Sequence, residues 1–543
     1  MRSFFLVFFI GFSFCQAQTV GLFQNDTASY NGYTLFAPAA FYDTYLIDNC
    51  GKEINTWTST YLPGLSAYIL PDGDLLRTGR VNSSFFSGGG SGGILERYDW
   101  DGNLEWSYQM SDSLIHQHHD IEPLPNGNIL VLTWERFLRN QALAAGRDTS
   151  RIQNEIWLTA IFEIQPIGST GANIVWEWHA MDHLIQENTP LAANFGIVSD
   201  HPEKINFNYY HPQMGGIVNP DFMHSNGIDY NPEKDQILIS SRNFSELWII
   251  DHSTSTQEAA GSSGGKYGKG GDLLYRFGNP AAYNRGTTND QVFFAQHDGK
   301  WIQNGYPGFP GITLFNNTPT QTSSAVLSFT PPEDSAGYYT SPGNQAYGPA
   351  TADWSFQSTD IFSANVSGAQ RLPNGNTLVC SGRGGKFFEY DLQKNLVWAY
   401  RSPVDFNGPV NQGSTPLQAT VFRAERYGEG YSAFAGRNLS PGSPIENNPD
   451  NYTCTTYPNI GLDEDEKIEI RFLNPIQDFW QIEFSKPLTG NWVLYDLSGK
   501  IIDQGRFEKN MQIARQVFNG QAGIYFLHID SPKLTSTIKL LKF

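Results

Sequence analysis

The sequence predicts an all-β chain, a six-bladed β-propeller followed by a small C-terminal β-sandwich, and three observations carry that prediction. Aromatic residues make up 14% of the chain and charged residues only 16%, alongside 53 glycines, a composition of strands and turns rather than helices. A turn-then-strand pattern recurs as LPDGDLLRTGR from Leu70, LPNGNILVLTWER from Leu124, NPEKDQILISSR from Asn231 and LPNGNTLVCSGR from Leu372. Each copy opens on Pro with Asn, Asp or Gly, the residues of tight turns, and then alternates like a half-buried strand. A second hairpin follows most copies, at Glu96–Tyr108, Phe162–Trp178 and Glu389–Tyr400, with a polar turn and a Trp near its end. Hairpin pairs returning about every 50 residues build four-stranded blades set radially. The copies at Leu70 and Leu124 lie 54 residues apart and those at Leu124 and Asn231 lie 107 apart, so one blade is diverged or stretched.

Taken in order, Met1–Ala17 reads as a secretory signal peptide: Arg2 supplies the positive end, Phe4–Phe14 the apolar run, and Cys15 and Ala17 the small residues before cleavage at Gln18. No later stretch is apolar and long enough to span a membrane, so an exported, soluble mature chain is expected. The propeller is assigned to residues 18–460, with blades between residues 40 and 455. Tyr45–Trp57 carries only the second half of the pattern and needs strands from near Thr420–Tyr427 to complete its blade. Closure of that kind removes free sheet edges and brings Cys50 beside Cys454, where they can bridge. Cys380, in an apolar strand over Asn376–Cys380, is then the buried thiol left over. Insertions over residues 139–155, 181–220, 253–291 and 319–358 have the length of functional lids. The acidic run Asp463–Glu466 starts a shift in composition, and residues 461–543 read as a separate β-unit with strands at Asn491–Asp496 and Gly523–Ile529.

A net charge of −19 excludes nucleic acid as a partner, because phosphate neutralisation needs clustered Lys and Arg. It does not exclude a small anion, which a local Arg/His pocket can bind against the global field. The stretch Asp221–Arg242 offers such a pocket. His224 and Asn226 precede a turn at Asn231-Pro232, and the strand that follows returns Arg242 towards His224. An imidazole, an amide and a guanidinium at one strand end make an anion site. His119 leads into the turn at Leu124, His224 into the turn at Asn231, and His297 stands before another strand pair. Residues just before a blade's inner strand face the central channel, so these three histidines can meet although 105 and 73 residues separate them. The run His116-x-His118-His119 has ligand-like spacing, but Arg242 in the same cluster repels a cation, and no metal is assigned. Gly88–Gly93 fits a dinucleotide fingerprint but precedes a strand, and Lys266 and Lys269 lack the Ser or Thr of a phosphate loop; neither is a nucleotide site.

Over roughly residues 40 to 450 the chain resembles the bacterial arylsulfotransferases that work without a nucleotide sulfate donor, most tightly at HSNGIDYNPEKDQILISSR and more loosely at HDIEPLPNGN and AQHDGKW. The resemblance implies a six-bladed propeller with its active site in the central channel. It also implies transfer of a sulfuryl group from an aryl sulfate to a phenol through a sulfated histidine, with no cofactor. By motif, His297 is then the nucleophile, His224 and Arg242 hold the sulfate oxygens, His119 assists and Asn226 lies near the substrate. The last 77 residues resemble the type A C-terminal sorting domain of the type IX secretion system of Bacteroidota, at NPIQDFWQIEF, VLYDLSGKII, GIYFLHI and TIKLLKF. That implies the type IX machinery as partner, and release or attachment at the cell surface. Two other readings stay open: a non-catalytic propeller whose polar channel binds an anion or a glycan, and an aryl sulfate hydrolase that uses water on the same site.

Overall fold

The computed structural model of the protein describes residues 18–210, 219–334, 338–340, 343–450, 453–459, 470–472, 479–517, 521–531 and 534–542. The signal peptide and the acidic run Asp463–Glu466 lie outside these residues. The chain divides into two compact units, residues 1–460 and 461–543.

Among the described residues, the first unit is a ring of six antiparallel sheets. From the inside outward, the first blade is Val421–Gly428, Gly32–Pro38, Asp43–Ile47 and Glu53–Thr58. The second is Pro63–Ile69, Leu75–Arg80, Gly93–Tyr98 and Leu104–Gln109, and the third Ile115–Pro123, Ile129–Leu138, Glu155–Ile167 and Gly171–His179. The fourth is Ser225–Asn231, Gln236–Ser241, Glu246–Asp251 and Tyr275–Phe277; the fifth is His297–Trp301, Ile312–Asn316, Ser324–Phe329 and Trp354–Ser358. The sixth is Gly368–Arg371, Thr377–Ser381, Lys386–Tyr390 and Leu396–Arg401, with Gly21–Asn25 added at its outer edge. Each innermost strand touches the innermost strand of the next blade, and the sixth touches the first.

Three of the four recurrent turns share one geometry. The N–H groups of Leu70, Leu124 and Leu372 each donate over 2.8 Å to the carbonyl four residues on. Gly73, Gly127 and Gly375 sit in these turns at φ +96°, +85° and +90°, a backbone that glycine adopts without strain. The turn joins the innermost strand to the second. The sequence reading put the innermost strand after the turn, and the structure corrects it: the innermost strand comes before. His119 therefore lies within an innermost strand, His297 begins one, and His224 immediately precedes one.

The tryptophans at the hairpin ends fasten four of the six blades to the next. Trp57, Trp106, Trp178 and Trp398, each on a fourth strand, donate their indole N–H over 2.8 Å to the carbonyls of Asp99, Gly171, Gly271 and Asn49 in the next blade. A buried indole adds a large apolar area and keeps its one donor satisfied.

The ring closes twice. Val421–Gly428 pairs with Gly32–Pro38, and Gly21–Asn25 pairs with Leu396–Arg401. Both N-terminal strands lie before residue 40, where the blades were expected to begin; GYTLFAP lacks the Leu-Pro turn that marks the other hairpins. Cys50 and Cys454 are joined as a disulfide with Cα atoms 5.7 Å apart, and Cys380 is a buried free thiol. The insertion at 139–155 holds a short helix, Arg139–Ala144, and that at 181–220 a two-residue strand pair, Leu184–Ile185 with Ile205–Asn206.

The second unit is all-β. Phe479–Asp496 pairs along its length with Ile501–Val517, while Ile470–Phe472 covers the first half of its other edge and Gly523–Ser531 the second. Leu534–Lys542 completes the sheet. Ile482, Phe484, Leu488, Trp492, Leu494, Leu527 and Ile529 form its core. Among the described residues no helix is long and apolar enough to cross a membrane.

Candidate active site

The hairpin Ser225–Asn231/Gln236–Ser241 pairs Ser225 with Ser241, which sets the next residues out, His224 and Arg242, side by side. Arg242 N–H donates to the His224 carbonyl at 3.2 Å. His224 is in the left-handed region at φ +46°, held there by Asp221. One Asp221 oxygen accepts the His224 backbone N–H at 3.0 Å and the other accepts Nδ1–H at 2.5 Å. Trp134 Nε1 donates to the same carboxylate at 3.1 Å. Burial alone would raise the Asp221 carboxyl, but the charge and hydrogen bonds of His224 outweigh it and hold the group below its ordinary value. Arg242 is half-buried, and burial lowers its pKa. Its Nη1 donates to Asn243 Oδ1 at 3.1 Å, and Asn243 in turn donates to the Asp221 carbonyl at 2.9 Å.

His119 sits against this group, its ring centroid 4.7 Å from that of His224. It too has a left-handed backbone, at φ +53°. Its N–H donates to the Gly90 carbonyl at 2.7 Å, and a Cβ at Gly90 would come within 1.9 Å of the imidazole, so glycine is required there by close approach. The Nδ1 atoms of His118 and His119 lie 2.9 Å apart, one donating to the other. His118 stacks on Trp134 at 4.3 Å between centroids. Burial pushes the His119 pKa well below its ordinary value, with His224, His118, His297 and Arg242 adding to the effect in that order. Of these four, His224 and His118 are in direct contact with it.

His297 completes the group from the fifth blade. Its Nδ1 donates to Asn317 Oδ1 at 2.7 Å, and its Nε2 accepts the Val366 backbone N–H at 3.2 Å. Burial, then the Arg242 charge, depress its pKa to about 3. Asn226 is buried as deeply as His297, and its Oδ1 has no hydrogen-bond partner among the described residues. Its amide N–H donates to the Gln296 carbonyl at 2.8 Å, gripping the residue before His297.

Sequence reasoning brought out His119, His224, Arg242 and His297 but missed their supports. Asp221 was visible only as an acid three residues before His224, and nothing in sequence marked Asn317. The repeated pair His119-Asp120 and His297-Asp298 was the signal for another layer. Each Asp turns to Arg423 on the first blade's innermost strand: Arg423 Nη1 donates to Asp120 at 2.8 Å and to Asp298 at 3.0 Å, and Nη2 donates to Tyr68. Lys300 and Glu425 pair beside them. Six innermost-strand residues thus knit four blades together next to the histidines, and they satisfy the carboxylates that a metal site would use. The histidine group thus combines one guanidinium, Arg242, with the neutral imidazole nitrogen of His297, a pairing suited to an anion that reacts with a nucleophile.

Residues 48–400 match the family model for arylsulfotransferase (ASST), and residues 472–542 match that for a secretion system C-terminal sorting domain. The sorting domain marks the chain for type IX export to the cell surface or the medium. No curated protein matches the chain. Among solved structures, a protein of unknown function from Bacteroides caccae is 11% identical, with 73% of this chain and 98% of that chain covered and a TM-score of 0.39. A β-propeller domain from Myceliophteria thermophila is 10% identical over 71% and 90% at a TM-score of 0.33. A periplasmic gluconolactonase from Pseudomonas aeruginosa is 10% identical over 68% and 96% at a TM-score of 0.32.

Proposed function

Starting from the fact that the chain belongs to the arylsulfotransferase (ASST) family, we propose that it moves a sulfuryl group from an aryl sulfate to a phenol through a sulfohistidine at His297. The observation that supports this most is the state of the His297 ring. Nε2 accepts a backbone N–H and so carries a lone pair, on an imidazole that burial keeps neutral beside Arg242. In the first half-reaction Nε2 forms an N–S bond while the aryl S–O bond breaks, and the leaving phenolate takes the electron pair. A phenolate is stable enough to leave without an acid. Arg242 and His224 offer positioned donors to the sulfuryl oxygens, where negative charge builds up. In the second half the acceptor oxygen forms a new S–O bond as the N–S pair returns to Nε2. The acceptor's proton leaves to solvent, and His119, neutral and against His224, can accept a hydrogen bond from the acceptor hydroxyl as it approaches.

The test is a chromogenic aryl sulfate assayed with and without added phenol, on wild type and His297→Asn. Wild type should show ping-pong kinetics and, after donor alone, a histidine-linked mass adduct of one sulfuryl group at residue 297. His297→Asn should lose the adduct and at least about 10³-fold in transfer, as removal of a nucleophile does elsewhere. An adduct on another histidine would move the nucleophile; donor cleavage indifferent to phenol would make the protein a hydrolase.

A further inference from the structure

The two imidazoles at the centre of the site are held by different chemistry. His224 gives its Nδ1 proton to a carboxylate, Asp221, at 2.5 Å. His297 gives its Nδ1 proton to an amide, Asn317, at 2.7 Å, with the Ala295 carbonyl a second, longer acceptor at 3.1 Å. The orientation of that amide is fixed by its own other end. Asn317 Nδ2 donates to the carbonyls of Ser363 and Val366, each at 2.9 Å, and a carbonyl cannot be met by an amide oxygen. Oδ1 must therefore face His297, and Nδ1 of His297 must carry the hydrogen. The other ring nitrogen gives the same answer by a separate route. Val366 N–H points at Nε2, and a backbone N–H can only donate, so Nε2 is unprotonated.

The segment that supplies these contacts is held under strain. Val366 has φ +53° and Ser367 φ +90°, a conformation that a β-branched residue rarely takes. Ser367 N–H is tied to the Phe422 carbonyl at 2.8 Å, on the innermost strand of the first blade. Asn317, fully buried at the end of the second strand of the fifth blade, thus joins His297 to the entry of the sixth blade.

We propose that Asn317 is a positioning residue that locks His297 in the Nδ1–H tautomer, with the Val366 turn, so that the lone pair that takes the sulfuryl group is always on Nε2. The inference rests on the sulfohistidine reading above and adds to it the group that selects the reacting nitrogen. An amide is the suitable partner because it accepts one hydrogen bond without the full negative charge that would favour a second proton on the ring. In the resting protein Val366 N–H occupies the lone pair. When the N–S bond forms, that donor is released beside the incoming sulfuryl oxygens.

The experiment measures single-turnover adduct formation, donor KM and thermal midpoint for Asn317→Ala and Asn317→Leu, each alone and combined with His297→Asn. Asn317→Leu keeps the side-chain bulk if the alanine variant does not fold. We expect adduct formation on residue 297 to slow about 10- to 100-fold in either single variant, as when an orienting partner is lost, with donor KM within about twofold of wild type. In the His297→Asn background the same changes should leave the residual donor cleavage unaltered while still lowering the thermal midpoint, because no tautomer remains to select. A fall in donor cleavage of equal size in both backgrounds would make Asn317 merely structural and overturn the inference. So would adduct formation at the wild-type rate in a folded Asn317 variant. If His297→Asn itself keeps the adduct, the sulfohistidine reading at 297 fails first, and that outcome is separate from the other two.

Discussion

Two sets of histidines in this propeller show opposite chemistry from the same starting material. In the channel, His116, His118 and His297 are depressed to about 4, 3 and 3, and His119 well below its ordinary value; burial is the first cause for each. Their partners are hydroxyls (Ser91 and Ser111 on His116), the Asn317 amide and the Ala295 and Val366 backbone (on His297), and one another. Towards the outer strands, His179 lies between Glu135 and Glu177 at 3.0 and 3.2 Å, and His252 between Asp235 and Glu163 at 2.7 and 3.0 Å. Burial is the largest single influence there too, and it pushes these rings down. The paired carboxylates together outweigh it and raise both to about 9. Burial therefore does not distinguish the sets; a carboxylate on each ring nitrogen does. The outer set are cations that fasten sheets, His252 joining the third blade to the fourth. The channel set, short of carboxylates, can supply lone pairs.

The largest effect that would test this contrast is at alkaline pH. The folded pKa of His252 is raised, so its stabilisation is complete below the unfolded value near 6.5 and is lost as pH rises through about 9. Between pH 7 and 10 that loss is about 3 kcal/mol. His252→Gln should be less stable than wild type at pH 7 yet lose about 3 kcal/mol less on going to pH 10. Urea denaturation at both pH values measures it. Parallel losses in the two proteins would show that His252 is no cation in the fold.

The channel set gives a smaller effect of opposite sign. His116 is neutral when folded, so the unfolded chain binds more protons below about 6.5 and stability drops as pH falls from there towards 4. At pH 5 one such imidazole costs about 2 kcal/mol. His116→Gln removes the titrating ring and can still bond to Ser91 or Ser111. Its stability loss from pH 7 to pH 5 should be about 2 kcal/mol smaller than that of wild type. Because the same wild-type acid transition also contains carboxylates such as Asp229, raised to about 7 chiefly by burial, only the difference between the two proteins isolates the histidine.

How much of this was legible in sequence follows from distance along the chain. His224 and Arg242 could be paired because one hairpin of known turn chemistry separates them. The blades could be counted because the Leu-Pro turn repeats with its glycine. The strand Gly32–Pro38 could not be found, since its partner is Val421–Gly428 at the other end of the unit and no turn announces it. Asn226 was placed beside the substrate by its neighbours in the motif; that its amide N–H also reaches across a blade boundary to Gln296 left no mark in the sequence. The glycine run Gly88–Gly93 invited a nucleotide reading; what it provides is room for His119 against Gly90. Arg423 was missed because it acts on residues of other sheets, and the register between sheets leaves no periodic trace. Asp221 and Asn317 act within their own turn and hairpin, on His224 and His297, but neither belongs to a repeated pattern.

The smallest effect tests what keeps the nucleophile neutral. Burial is the first cause for His297 and the Arg242 charge the second, so Arg242 has two separable duties: its charge acts on His297, and its planar fork meets the sulfuryl oxygens. Arg242→Lys keeps the charge and loses the fork. Transfer should fall about 10-fold, equivalent to about 1.4 kcal/mol of transition-state stabilisation, while the acid limb of the pH–kcat/KM profile stays in place. Arg242→Met removes both. Transfer should fall further, and the acid limb should move up, because an imidazolium at 297 no longer faces a cation. With burial still the larger cause, the limb should remain below the unfolded value near 6.5. Profiles from pH 4 to 8 on both variants decide it. A lysine variant with unchanged kcat/KM would remove Arg242 from the sulfuryl oxygens. A methionine variant with an unmoved limb would leave burial, and the absence of a carboxylate partner, as the whole reason that His297 differs from His252.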